Sequence, residues 1–119
     1  MTAIATPTAA VIDCADPTAL AEFYRRVTGW AIVHEDADSA YLSDGGALQL
    51  GFQRLEGYRA PDWPDSSAHT HLEFAVADVD LALDELREIG ASVPRFQPGA
   101  GEWTVVADPE GHVFCVAAA

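Results

Sequence analysis

Hydrophobic and polar positions alternate in a short run, give way to a helical spacing, then return to alternation, and the chain does this twice. Val11 to Ala15 is an apolar run broken by Asp13, the pattern of a strand. Asp16-Pro17 then opens a helix, since a carboxylate accepts from the free N–H groups of the first turn and proline suits the first helical position. Leu20, Phe23, Tyr24 and Val27 share one helical face, and Gly29 supplies a left-handed stop. In the second passage Leu72 to Ala77 reads as the strand and Asp78 as the cap. Leu81, Leu83, Leu86 and Ile89 form a mainly apolar stripe, and Gly90 is the stop. Helices are thus predicted over about residues 17–28 and 79–89.

Three strand-like segments follow each helix. They are "AIVHED", "SAYLSDGG" and "ALQLGFQ" after Gly29, and "ASVPRFQ", "EWTVVADPEG" and "HVFCVAA" after Gly90. Turn residues sit at Asp44-Gly45-Gly46 and at Asp108-Pro109-Glu110-Gly111. The chain therefore carries an internal repeat: repeat one over about 8–53, a connector over about 54–68 rich in proline, serine and aspartate, and repeat two over about 69–117. Together they predict a single domain over residues 1–119 of class α+β. Its two βαβββ repeats would form two four-stranded sheets curled into a cup, with one helix packed on the outside of each.

Composition narrows the partners. Half the residues are hydrophobic, enough for a core, and the formal net charge is -13. Such an acidic surface repels phosphate backbones and anionic membranes, so neither nucleic acid nor membrane is expected as a partner. No apolar run approaches the length of a membrane span, and the N-terminus lacks the pattern of a signal peptide. Cys14 and Cys115 lie inside apolar runs and read as small buried residues rather than a disulfide, which suits a reducing compartment. A cytoplasmic location is the expectation.

The repeated unit, with "ADPTALAEFYRRVTGW" early and "DPEGHVFCV" late, resembles the vicinal oxygen chelate superfamily. That superfamily includes glyoxalase I, extradiol dioxygenases, epimerases, fosfomycin-inactivating transferases and bleomycin-sequestering proteins. "LGFQRLEGYRAPDWPD", "HLEFAVADVDLAL" and "WTVVADPEGHVFCV" are similar to its glyoxalase-like branch. The resemblance spans nearly the whole chain and speaks to fold more than to reaction. It implies metal ligands on the first, fourth, fifth and eighth strands. The fifth-strand histidine falls seven residues before the capping Asp78, at His71. The equivalent position before Asp16 is Ala9, and the eighth-strand glutamate position, seven residues after Asp108, holds Cys115. The fourth strand offers Gln49 and Gln53. Enzyme metal sites keep about three protein ligands, so this set leads to the expectation of no tightly bound metal, with His71 the remaining candidate. His69 and His71 of "HTH", two apart on a strand, leave a different metal arrangement open. In this superfamily the cup is often completed between subunits, which makes a homodimer one expectation.

Strand alternation gives a separate reading of the inner surface. Asp13, Gln49, Gln53, His71, Glu73 and Cys115 fall on faces averted from the helices. Buried polar groups need partners, so the collection suggests a wet or ligand-filled cavity. Trp63 in the connector and Trp103 before the seventh strand suit stacking on a planar ligand, and Trp63 equally suits pinning its loop to the core. His71 reads either as a hydrogen-bonded cavity histidine or as a ligand contact. Asp13 and Glu73 also read as solvated carboxylates, Asp13 the more so. His71 and Glu73 would lie roughly 6.5–7 Å apart on one face, near enough to act on one substrate as acid and base. Cys115 reads as a small core residue before a nucleophile. His34 and His112 read as surface residues at turns. The first functional reading is metal-independent binding of a small, partly aromatic organic ligand, with bleomycin-resistance-like sequestration as one use. The alternative is a lyase, isomerase or dioxygenase, using divalent Zn, Fe, Mn or Ni on His71 or metal-free acid/base chemistry by His71 and Glu73.

Overall fold

The computed structural model describes residues 3–64 and 70–119. The chain divides into two compact units, Met1–Tyr58 and Arg59–Ala119. The first runs β1 (Ala9–Cys14), α1 (Pro17–Thr28), β2 (Ala31–Glu35), β3 (Ser39–Ser43) and β4 (Gln49–Arg54). Its four-stranded sheet has the order β1-β4-β3-β2, with β1 parallel to β4 and the other pairs antiparallel.

Helix α1 starts and stops where its capping chemistry predicts. The Asp16 carboxylate accepts from the Ala19 N–H at 3.1 Å, and Gly29, at φ 74°, donates its N–H to the Arg25 carbonyl at 2.8 Å. The buried face of α1 presents Leu20, Ala21, Phe23 and Tyr24, and the sheet supplies Cys14, Ala40, Leu42, Leu50 and Phe52. Tyr24 stacks on Phe52 with ring centroids 5.3 Å apart, and Phe23 meets Tyr24 edge-on at 4.9 Å. Each such large side chain contributes about 1.5–3 kcal/mol of burial.

The second unit runs β5 (Glu73–Val76), α2 (Val79–Glu88), β6 (Thr104–Ala107) and β7 (Val113–Ala118). Its sheet has the order β5-β7-β6, with β5 parallel and β6 antiparallel to β7. Phe74 and Phe114 meet edge-on at 5.3 Å in its core, with Leu86, Val106 and Val116 buried. Leu81, expected in the apolar stripe of α2, is 56% exposed. Five residues at about 100° each put it roughly 140° around the helix from Leu86, outside the packed face.

Among the described residues this sheet has three strands where four were expected. "ASVPRFQ" contributes a single bridge, Ser92 to Ala107. Pro94 has no N–H to donate and ends the pairing there. The Gln97 side chain then takes over. Its Nε2 donates to the Val105 carbonyl at 2.9 Å and to the Pro94 carbonyl at 2.8 Å, and its Oε1 accepts from the Val105 N–H at 2.8 Å. A primary amide carries the same donor and acceptor as a peptide group, so one glutamine supplies the edge of β6 with what a strand residue would have supplied. Among the described residues no helix is long and apolar enough to cross a membrane.

Candidate functional site

The site begins at the turn that joins β6 to β7. The Asp108 carboxylate is fully buried and accepts from the Glu110 N–H at 2.8 Å, the His112 N–H at 3.1 Å and His112 Nδ1 at 2.8 Å. His112 is therefore a half-buried turn clamp, not the surface residue its position suggested. A carboxylate accepting from Nδ1 holds the proton there, which leaves Nε2 as the acceptor nitrogen of the neutral ring.

That turn sets the hairpin register. Val105 lies opposite Cys115 and Ala107 opposite Val113, while Glu73 lies opposite Cys115 from the other side. Paired residues share a face of the pleat, so Glu73, Cys115 and Val105 form one row across the sheet. Phe74, Phe114 and Val116 point to the other face, into the core. The Cys115 N–H donates to the Leu72 carbonyl at 3.0 Å, extending the pairing to the approach of β5, where His71 sits. His71 Nε2 lies 3.5 Å from Glu73 Oε2.

Two loops bring indoles to this row. The Trp63 Nε1 donates to the Phe96 carbonyl at 3.3 Å, with the two rings 6.1 Å apart. Trp103 folds against Gly99: a Cβ there would run into the Trp103 carbonyl and come within 2.8 Å of its indole, so glycine is required by the close approach. The Gln97 clamp ties the same loop to β6. The result is a cavity of about 320 Å³ lined by Trp63, His71, Glu73, Pro98, Trp103, Val105, Val113 and Cys115. Burial, and then the negative charge of Glu73, pushes the Cys115 thiol up from its ordinary value of 9.0. It stays protonated near neutral pH and is a poor nucleophile there.

Five of the residues expected at a site, Trp63, His71, Glu73, Trp103 and Cys115, thus line one cavity. The other three, Asp13, Gln49 and Gln53, belong to the first unit. There Asp13 pairs with Gln53 and Gln49 with Ala9, on the face averted from α1. Asp13 and Gln53 are exposed and Gln49 is half-buried. Tyr41 lies over Gly51 on that face, and His34, in β2 rather than at a turn, approaches Tyr41 edge-on at 6.0 Å. His69 lies outside the described residues.

Pro98, Val105, Val113 and the clamp Gln97 were not among the residues expected at the site. Val105 was within reach: counting outward from the turn at residues 108–112 pairs it with Cys115. Pro98 and Gln97 had no periodic signal, because they lie in a loop.

Among the described residues no group of three or more His, Cys, Asp or Glu side chains is placed to hold an ion. In the cavity burial, and then Glu73, push the Cys115 thiol up, so a metal would itself have to drive its deprotonation. Among the described residues, the donors do not match the metal-ligand set that the family resemblance implies.

Residues 9–117 match the family model described as "Glyoxalase-like domain", and the chain belongs to that family. Among curated proteins it is 30% identical over 97 residues to CFP32 of Mycobacterium bovis, a match covering 79% of this chain and 36% of that protein. The fold is shared with protein ATC0852 of Agrobacterium tumefaciens at TM-score 0.73 and 20% identity, covering 97% of this chain and 98% of that one. It is also shared with the bleomycin-binding protein of Streptomyces verticillus, solved with copper(II)-bleomycin, at TM-score 0.60 and 20% identity, covering 99% of each chain. At these identities the likeness to the solved structures is one of fold.

Proposed function

We propose that the protein binds a small organic ligand in the cavity of its second unit, without a metal. One observation carries the reading: two indoles, an imidazole and a carboxylate, from separate stretches of chain, converge on one cavity with apolar strand residues behind them. Ligand sites are typically apolar concavities with a few polar groups that fix orientation. Trp63 and Trp103 supply flat apolar area, and His71 and Glu73 supply hydrogen bonds. The bleomycin-binding protein supports the reading in that a protein of this fold holds an organic ligand. Sequestration of such a ligand, as in bleomycin resistance, is the use we favour.

The proximity of His71 Nε2 to Glu73 Oε2, 3.5 Å, favours a second reading as acid/base chemistry on the bound molecule. In it one of the two groups takes a proton from the ligand and the other returns one. The experiment is native mass spectrometry of the purified protein for a retained small molecule, followed by binding of that molecule to wild type and His71→Ala. The His71 side chain is 47% exposed, so its loss should move the melting temperature by no more than about 2 °C while weakening binding about fivefold, the worth of one hydrogen bond. Unchanged affinity in His71→Ala would remove His71 from the site. Conversion of the ligand, lost in both His71→Ala and Glu73→Gln, would favour the enzyme.

A further inference from the structure

Resting on that reading, we infer that the cavity selects planar aromatic ligands that carry a positive charge, such as an N-alkylated heteroaromatic ring or an aryl ammonium. Among the described residues the cavity lining includes no lysine or arginine. Its one carboxylate among those residues is that of Glu73. Its side chain is 79% exposed, and His71 Nε2 lies 3.5 Å from its Oε2. That separation is longer than a charge-assisted hydrogen bond, about 2.7–2.9 Å, so the carboxylate keeps acceptor capacity for a ligand. Its field reaches the Cys115 thiol on the neighbouring strand.

The indoles point the same way. Tryptophan faces attract cations as well as stacking on rings, and the attraction grows as water is excluded. A ligand that is both flat and cationic uses Trp63, Trp103 and Glu73 together. A carboxylate or phosphate would have to face Glu73 with no lysine or arginine among the described lining residues to compensate it. The surroundings reinforce the sign. The chain has net charge -13 and all six of its basic residues are arginines. Arg25, Arg54 and Arg87 are engaged by Glu22, Asp38 and Asp84. The volume, about 320 Å³, suits a two-ring ligand with short substituents.

The test uses three flat two-ring probes, N-methylquinolinium, quinoline and naphthalene-2-carboxylate. They are titrated by calorimetry and tryptophan quenching at about pH 8 in about 0.15 M salt. N-methylquinolinium should bind at least tenfold tighter than quinoline, and the naphthoate should bind weakest. Glu73→Gln should lower the cation-to-neutral ratio at least threefold, leaving the part the indole faces supply. Glu88→Gln, which removes the same charge from the exposed surface of α2, should leave that ratio unchanged. Trp103→Ala, checked for folding by circular dichroism, should weaken both ring ligands. Equal affinity for quinoline and its cation, a preference for the naphthoate, or the same ratio in Glu73→Gln would overturn the charge selection and leave the cavity as a site for neutral rings. Failure of all three probes to bind, or binding insensitive to Trp103→Ala, would overturn both this inference and the ligand site itself.

Discussion

Replacing Gln97 by alanine should cost about 3 kcal/mol, a large effect for a loop residue. The side chain makes two hydrogen bonds to the backbone of Val105, at 2.9 and 2.8 Å, and Val105 is 1% exposed. Each bond contributes about 1 kcal/mol net, and a buried backbone group left without a partner costs about 1–3 kcal/mol. The adjoining bridge between Ser92 and Ala107 remains and limits the damage to one step of the ladder. For a chain of 119 residues each kcal/mol is worth about 4 °C, so the melting temperature should fall by roughly 10–12 °C. Hydrogen exchange at the Val105 amide should accelerate in parallel, since it loses its acceptor. Gln97→Glu is the sharper variant. It keeps an acceptor for the Val105 N–H but sets a second acceptor against the Val105 carbonyl, and should be no more stable than the alanine variant near neutral pH. A melting temperature within about 2 °C of wild type in Gln97→Ala, with Val105 exchange unchanged, would refute the idea that a side chain stands in for the missing strand.

Other expectations follow from single contacts. Asp108→Asn should destabilise by about 2–3 kcal/mol, because the buried carboxylate accepts two backbone N–H groups and His112 Nδ1, and an amide replaces one acceptor oxygen by a donor; urea unfolding reads this out. Gly51→Ala should cost about 1–3 kcal/mol, since its Cβ would run into the Tyr41 ring, and Gly51→Ala combined with Tyr41→Ala should recover much of the loss. The raised Cys115 thiol predicts slow alkylation by iodoacetamide at neutral pH compared with a free cysteine. It also predicts a pH effect of definite sign. The folded thiol holds its proton where the unfolded one has lost it, so stability should fall as pH rises above 9.0, and Cys115→Ala should lessen that fall.

The first unit and both helices were legible because the signals that define them are local. An aspartate cap, a proline at the first turn and a glycine stop bound α1 within the chain itself, and alternation in β4 separates Leu50 and Phe52 from Gln49 and Gln53. The same local chemistry placed Glu73 and Cys115 on the face averted from Phe74 and Phe114, and the family likeness added the topology. Local patterns end where one part of the chain completes another. "ASVPRFQ" alternates well enough to read as a strand, but whether it pairs depends on what the edge of β6 accepts, and a glutamine amide reached that edge first. His112 reads as a surface residue from sequence, whereas its bond to the buried Asp108 carboxylate makes it a half-buried clamp of the turn. The cavity itself was decided by tertiary structure. A strand pattern says which way a side chain points, while the distance between Trp63, Trp103 and Glu73 depends on how two loops fold back onto one sheet. Side-chain direction is a property of the backbone repeat; convergence is a property of contacts between residues far apart in sequence, and these are decided by packing and hydrogen bonding across the folded unit.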